Sequence, residues 1–133
     1  MYCPVCKHPM MVLEFEGVET DYCPGCEGIW LDAGELELLL EDSKEKDELM
    51  HSFTEAKNVK EKRKKCPICN KKMEKTFVSK DHDIVLDECK KGHGLWFDKG
   101  EILEVIKRGS INKNNSIIKV LNDMYRNNIE AKN

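Results

Sequence analysis

The sequence lacks a long hydrophobic run and a basic, apolar leader. Its longest run of leucine, Leu38–Leu40, is far shorter than the ~20 apolar residues that a membrane-spanning helix needs. The first ten residues, MYCPVCKHPM, show none of the features of a secretory signal peptide. We therefore expect no membrane partner and a cytoplasmic, reducing location, where structural disulfides are disfavoured.

The chain also lacks the length and the motifs of most enzymes. Its 133 residues suffice for one ordinary domain or two very small ones, which excludes separate cofactor and substrate domains. Apolar residues make up 40% and charged residues 35%, too apolar a balance for general disorder. No phosphate-binding glycine loop and no nucleophile–base arrangement is visible. We predict a protein that is not an enzyme and has no small-molecule substrate.

A formal net charge of −3 conceals two halves of opposite charge. Residues 1–56 hold 3 Lys/Arg and 14 Asp/Glu, a net charge of −11, whereas residues 57–133 hold 19 and 11, a net charge of +8. Such asymmetry indicates either a half that binds nucleic acid or two halves that attract each other.

Six of the seven cysteines form C-P-x-C pairs. Cys3-Pro-Val-Cys6 is followed after sixteen residues by Cys23-Pro-Gly-Cys26. Two C-x2-C pairs at this separation predict one tetrahedral zinc site, because each tight turn presents two thiolates to the same metal. The second half has Cys66-Pro-Ile-Cys69 and then a single cysteine, Cys89, after nineteen residues.

An internal repeat supplies the missing fourth ligand. The first C-P-x-C pair matches the third at an offset of 63 residues, and the C…G-x-W-x-D-x-G-E element recurs at an offset of 66. In this alignment Cys26 falls on Gly92, beside His93, and neutral imidazole is a normal zinc ligand. We predict His93 as the fourth ligand, with His82, in the longer hairpin of the second copy, as the competing candidate.

Iron, thiol–disulfide exchange and a set of buried free thiols are the alternatives to zinc. Four thiolates also suit a one-iron centre, but glycine usually follows the second cysteine of such knuckles, and here Lys7, Glu27 and Asn70 do. Four-ligand pairing favours a closed structural site over redox use. We predict two Zn²⁺ ions per chain, with the ligands Cys3, Cys6, Cys23, Cys26, Cys66, Cys69, Cys89 and His93.

The first copy, CPVCKHPMMVLEFEGVETDYCPGCEGIWLDAGEL, resembles the prokaryotic transcription-factor-IIB-type zinc-finger family. The second copy, CPICNKKMEKTFVSKDHDIVLDECKKGHGLWFDKGEI, fits more loosely, since it departs at Gly92–His93 and in its longer hairpin. The resemblance covers about three-fifths of the chain. It implies a zinc-ribbon fold and zinc binding; the family name points towards transcription without establishing an activity.

The predicted fold is a small metal-stabilised α+β chain of two tandem zinc ribbons. Each ribbon has a short antiparallel hairpin and a third strand, and a helix follows it. Units of this size need a metal for stability. A charged, partly helical connector joins the ribbons, and an amphipathic helix from about 115 to 129 packs on the same chain or, alternatively, on a partner. The predicted segments are 1–40, 41–65, 66–108 and 109–133.

Two features of the repeat allow either a structural or a functional interpretation. Trp30 and Trp96 are predicted as apolar anchors of their ribbons, with base stacking as the alternative. Asp32 and Asp98, each followed by Glu three residues later, are predicted as helix N-caps in capping boxes. Capping accounts for these carboxylates more simply than acid–base catalysis does.

A run of basic residues precedes the second ribbon. It is a candidate phosphate-binding surface, although it could equally be a solvated face or dock on the acidic first ribbon. We predict a non-enzymatic zinc-ribbon adaptor that binds a protein partner or itself. The alternative is a nucleic-acid-binding or transcription-associated protein that uses the Lys-rich segment 57–75. The candidate nucleic-acid contacts are Lys57, Lys60, Lys62, Arg63, Lys64 and Lys65.

Overall fold

A computed structural model describes residues 1–57, 59–78, 83–113 and 115–131, the last six by backbone alone. Seven strands and four helices occur in these ranges, in the order β1 Met11–Phe15, β2 Val18–Tyr22, β3 Ile29–Asp32, α1 Glu35–Leu38, α2 Lys44–Met50, β4 Thr54–Glu55, β5 Glu74–Val78, β6 Ile84–Glu88, β7 Gly94–Phe97, α3 Glu101–Arg108 and α4 Ser116–Ala131. The small antiparallel α+β architecture expected from the sequence is present. None of the helices in the described ranges is long and apolar enough to cross a membrane.

The strands of both ribbons join one sheet. Its order is β1-β2-β3-β7-β6-β5-β4, and all neighbouring strands are antiparallel. Each ribbon contributes a hairpin and a third strand, as the zinc-ribbon pattern predicts. The sequence predicted each ribbon as a unit of its own, whereas in the structure their third strands, β3 and β7, pair directly.

This junction has an approximate two-fold relationship between the repeats. Trp30 lies opposite Trp96, its equivalent in the other copy, and the flanking pairs are Ile29 with Phe97 and Leu31 with Leu95. A two-fold axis between Trp30 and Trp96 relates the two strands, so the residue before one tryptophan lies opposite the residue after the other. Two equivalent strands can therefore pair with each other in the antiparallel direction. The repeated sequence therefore provides both halves of its own interface.

The two faces of the sheet bury different cores. Because side chains alternate along a strand, Ile29 and Leu31 point to the face covered by the helices, and Trp30 points to the opposite face. The helix-side core includes Leu36, Leu39 and Leu40, the apolar face of α3 and the first turns of α4. The opposite core is small and consists of both tryptophans, Met73 and the buried cysteines. Both sets of predicted zinc ligands lie on this second face.

Helix α4 packs on its own chain, the first of the two predicted alternatives. Ile118 and Leu121 are at most 1% exposed, and the hydroxyl of Tyr125 donates a hydrogen bond to the carbonyl of Glu27 at 3.2 Å. This bond connects the helix to the first zinc knuckle. The connector contains both α2 and the two-residue edge strand β4, so it is partly helical.

Candidate metal centres

The first donor set comprises the four cysteines of the first ribbon. Cys3, Cys6, Cys23 and Cys26 place their sulfur atoms within 4.8 Å of one another, and the Sγ atoms of Cys3 and Cys26 are 3.6 Å apart. Tetrahedral zinc with Zn–S bonds of about 2.3 Å requires sulfur atoms about 3.8 Å apart. The distance is also far too long for a disulfide, and all seven cysteines are free. The donor set therefore fits a zinc ion.

The second donor set combines three sulfurs and one imidazole nitrogen. The Sγ atoms of Cys69 and Cys89 are 3.8 Å apart, and Nδ1 of His93 lies 3.4 Å from Cys89 Sγ and 3.9 Å from Cys66 Sγ. A tetrahedral site with three sulfurs and one nitrogen needs S–N distances of about 3.6 Å. His93 is thus brought to the position that the repeat predicted. His82, the competing candidate, lies outside the described residues. The two clusters fit two Zn²⁺ ions.

The knuckle turns explain how the ligands converge. In the first knuckle the N–H groups of Val5 and Cys6 both donate to Cys3 Sγ at 3.3 Å. Lys7, directly after the second cysteine, adopts φ 66° and donates its N–H to the carbonyl of Cys3. Glu27 and Asn70 adopt the same left-handed conformation after their cysteines. These positions therefore carry the conformation that favours glycine although none of them is glycine.

The fourth arm departs from this pattern by one residue. At Cys89 the turn closes early, because Gly92 (φ 78°) donates its N–H to the carbonyl of Cys89, three residues back. In the other arms the bond spans four residues, as from Glu27 to Cys23. The shorter turn brings the next residue, His93, to the metal position. The shorter turn therefore explains why the fourth ligand of the second copy, His93, lies one residue beyond the position that aligns with Cys26.

Burial opposes ionisation of the thiols in both clusters. Burial raises the pKa of Cys66 to about 11, and it also raises the pKa of Cys26. Burial opposes ionisation of Cys89 too, but the N–H groups of His93 and Lys91 donate to its sulfur, and its pKa falls to about 7. Thiolates gathered this closely repel one another, so their joint ionisation requires a bound cation.

Behind the ligands, a hydrogen-bonded triad recurs in each ribbon. The indole N–H of Trp30 donates to Asp32 at 2.8 Å, and the N–H of Asp32 donates to Glu35 at 2.6 Å. In the second ribbon Trp96 donates to Asp98 at 2.9 Å, and the N–H of Asp98 donates to its Glu at 2.7 Å.

The predicted N-cap role of Asp32 and Asp98 is therefore wrong. The N-caps are Gly34 and Gly100, both left-handed and without a side-chain cap bond. Trp and Asp two residues apart lie on the same face of a strand, so the indole N–H is well placed to donate to the carboxylate. The carboxylate is then bonded to the indole and does not cap the helix. The reaching-back glutamate of the predicted capping box is present, and Glu35 accepts from the Asp32 N–H.

The tryptophans are structural in position. Trp30 and Trp96 are fully buried, which excludes the base-stacking alternative. Each ring crosses into the other ribbon, where Gly94 faces Trp30 and Gly28 faces Trp96. Two further contacts cross the junction: the N–H of Ala33 donates to the carbonyl of His93 at 3.0 Å, and Lys99 pairs with Glu27 at 2.7 Å. The two metal centres are thus joined through one small core.

Two residues of the predicted basic cluster, Lys64 and Arg63, bond to other groups of the chain. Nζ of Lys64 lies 3.0 Å from Asp98 and 3.3 Å from Asp87, and Nε of Arg63 donates to the carbonyl of Met73 at 2.8 Å. Partial burial opposes the charge of Lys64, but the two carboxylates raise its pKa. Arg63 is nevertheless exposed, as are the remaining four predicted residues; these are Lys57, Lys60, Lys62 and Lys65.

Lys75 is not part of an exposed basic surface, although the sequence grouped it with the Lys-rich segment. Its side chain is 4% exposed and lies 2.8 Å from the equally buried carboxylate of Asp87. Lys75 lies opposite Asp87 on the neighbouring strand. The residues next to Lys75 in the sequence do not indicate this cross-strand pair.

Comparison with known proteins agrees with the geometry. A family described as transcription factor zinc-finger matches residues 2–42 and 65–108, which together make up more than half of the chain. The two matched segments coincide with the two donor sets and their strands. No curated protein and no solved structure matches the chain significantly.

Proposed function

The chain belongs to the transcription factor zinc-finger family, and from this premise we propose that it is a non-enzymatic adaptor that binds another protein. Its two Zn²⁺ ions would be structural, held by Cys3, Cys6, Cys23 and Cys26 and by Cys66, Cys69, Cys89 and His93. Seven free cysteines suit a reducing compartment, and the proposal places the protein in the cytoplasm.

The non-enzymatic part of this proposal rests on the closed donor sets at both metal centres. Each offers four ligand atoms, which saturates a tetrahedral zinc ion and leaves no position for a water or a substrate. The innermost cysteines are buried: Cys23 and Cys66 are 0% exposed. A saturated, buried zinc stabilises the fold, and its binding and folding are one event.

The recurring carboxylates also support a non-enzymatic function. Asp32 and Asp98 are occupied by the indole N–H groups, and Glu35 accepts from the backbone. Groups held in this way fix the third strand and the start of the following helix. They account for the W-x-D-x-G-E element without assigning it chemistry.

A contact with a protein is supported by apolar side chains that the fold leaves exposed. Five of them lie in the first twelve residues, and we call them the N-terminal apolar patch: Met1, Tyr2, Val5, Met11 and Val12. Exposed apolar side chains are typical of interaction sites when they gather in one region. Two of the five, Met11 and Val12, begin β1, which forms one edge of the sheet and can pair with an added strand.

The nucleic-acid alternative is not favoured. Lys64, at the centre of the basic run, is paired with Asp87 and Asp98, and Arg63 directs its Nε to the carbonyl of Met73, so not every cation of the run is free to contact phosphates. Both tryptophans are buried and unable to stack on bases. Electrophoretic mobility shifts on DNA and RNA over a range of salt concentrations test the alternative directly, and retardation at low salt that disappears steeply with salt would favour it.

In-cell photo-crosslinking tests the proposed function. A photoreactive amino acid at Val12, within the N-terminal apolar patch, should give a discrete crosslinked protein species. The matched control is Val120, which is similarly exposed (51% against 61%) but lies on α4, away from the patch. A crosslinked species of equal intensity from both positions, or none from Val12, would contradict the proposal.

A further inference from the structure

A cleft of about 400 Å³ lies between the first zinc knuckle and the basic run that precedes the second knuckle. Among the residues that the structure describes, no carboxylate lines it. We call it the basic cleft, and its six cationic residues are Lys7, Lys62, Arg63, Lys64, Lys65 and Lys72. One of these comes from the first ribbon and the others from the second half of the chain, so the cleft exists only because the ribbons are joined.

Most of the positive charge of the basic cleft is uncompensated. Lys64 is paired with two carboxylates, whereas Lys62, Lys65 and Lys72 are exposed and form no ion pair with any described residue. Lys65 and Lys72 pair in an isolated antiparallel bridge, and like charges directly opposite one another on paired strands repel. A bound anion relieves that repulsion, and clefts lined by one sign of charge concentrate ions of the other sign.

The basic cleft also has an apolar wall. Pro4 and Val5 of the first knuckle line it beside the lysines, and Val5 is 44% exposed. An apolar side chain flanked by carboxylates complements both parts of this lining. A sugar–phosphate backbone matches the lysines alone, and it would also have to approach the first half of the chain, which carries a net charge of −11.

We propose that the basic cleft binds an extended acidic segment of the protein partner, in which an apolar side chain beside Asp or Glu residues contacts Val5. This inference rests on the proposed adaptor function and specifies its partner. The carboxylates would pair with Lys62, Lys65 and Lys72, and the wall at Pro4 and Val5 would provide selectivity over other polyanions.

Fluorescence anisotropy with the full zinc-loaded chain tests the inference. The probes are a labelled peptide with one Leu flanked by Glu residues, the same peptide with Gln in place of Glu, and a labelled oligothymidylate of similar length. The cleft variant is K65E/K72E. Its matched control is K60E/K71E, which makes the same charge change at exposed lysines of the same region that do not line the cleft. The zinc content of every variant is measured, and K65Q/K72Q replaces the cleft variant if its zinc is lost.

The acidic peptide should bind the wild type and K60E/K71E, and it should bind K65E/K72E at least about tenfold more weakly. Val5→Ser should also weaken binding, whereas Ile68→Ser, at the equivalent exposed position of the second knuckle outside the cleft, should not. Equal losses in both double variants would overturn the inference, as would cleft-dependent binding of oligothymidylate in preference to the peptide. Failure here together with a specific crosslink from Val12 would refute the cleft while leaving the adaptor function intact.

Discussion

Gly28 of the first ribbon lies directly against the indole of Trp96 of the second. A Cβ at Gly28 would be 2.2 Å from Cζ2 of Trp96, far inside van der Waals contact. In the equivalent pair, a Cβ at Gly94 would be 2.7 Å from Cζ2 of Trp30, also inside van der Waals contact. The glycine that precedes each tryptophan in the repeat therefore makes room for the tryptophan of the other copy.

Gly28→Ala should destabilise the junction between the ribbons. The added methyl group meets a buried ring and the carbonyl of Phe97 at 3.1 Å, so strands β3 and β7 must separate. Overpacking of this kind costs about 1–3 kcal/mol, measurable by urea unfolding of the zinc-loaded protein. Gly25→Ala is the control, with its zinc content checked: its methyl group would meet the exposed His8 side chain, which can move, and would make ordinary contacts with the sulfur atoms of Cys6 and Cys23 at 3.5 and 3.6 Å. Equal losses in the two variants would show that the junction is not tightly packed.

Glu101 should make stability depend on pH. Burial raises the pKa of the Glu101 carboxyl from 4.5 to about 7, although the hydrogen bond that this carboxyl accepts from the Asp98 N–H acts to lower the pKa. A carboxyl whose pKa is raised in the folded state contributes stability that is present below pH 4.5 and lost as the pH rises through about 7. Glu101→Gln keeps the acceptor oxygen and removes the ionisation. The stability of the variant relative to the wild type should therefore rise up to about pH 7 and then level off.

Urea unfolding of the zinc-loaded proteins between about pH 6 and about pH 8 measures this difference, and the pH dependence of zinc binding itself cancels between variant and wild type. Glu35→Gln is the matched variant in the first ribbon, where burial also raises the pKa of Glu35. A pH-independent difference between E101Q and the wild type would contradict the expected titration.

Lys75 and Asp87 form an ion pair inside the second ribbon, and breaking it from one side should be costly. Lys75→Met leaves the buried carboxylate of Asp87 with Lys64 as its remaining cation. Removing one partner of a buried pair typically costs about 3–5 kcal/mol, and we expect the lower end because Lys64 remains. The double variant K75M/D87L should recover most of the loss, since it removes both charges.

The exposed pair of Lys44 and Glu48 provides the comparison, because Lys44→Met should change stability by less than about 0.5 kcal/mol. If K75M were no more damaging than K44M, the Lys75–Asp87 pair would not stabilise the folded state.

What the sequence could predict follows from the range of the interactions involved. The cysteine pairs and His93 could be identified because ligand spacing is local and a repeat provided an internal alignment. The position of His93 rests on the early turn at Gly92, which the extra residue in C-x3-H indicated. The pairing of Trp30 with Trp96 could not be predicted, since no local rule relates strands 66 residues apart. The recurring glycines at 28 and 94 were its one visible signal.

The misassigned N-caps show a competition between two local rules. An Asp three residues before a Glu satisfies the capping-box pattern, yet the indole N–H two residues earlier on the same strand is the better-placed donor. Lys75 illustrates the opposite limit. It resembles its exposed neighbours in sequence, and its cross-strand partner Asp87 cannot be recognised from the residues around it.

Single-ligand substitutions should remove one zinc ion at a time, and native mass spectrometry counts them. Cys23→Ser should reduce the count from two to one, because three donors at the first cluster no longer complete a tetrahedron. His93→Ala should do the same at the second cluster, whereas His82→Ala and His8→Ala should retain two ions. A count of two in H93A and of one in H82A would show that the fourth ligand is misassigned. Because β3 and β7 share one core, loss of either ion should also weaken retention of the other under chelator, by more in C23S than in H8A.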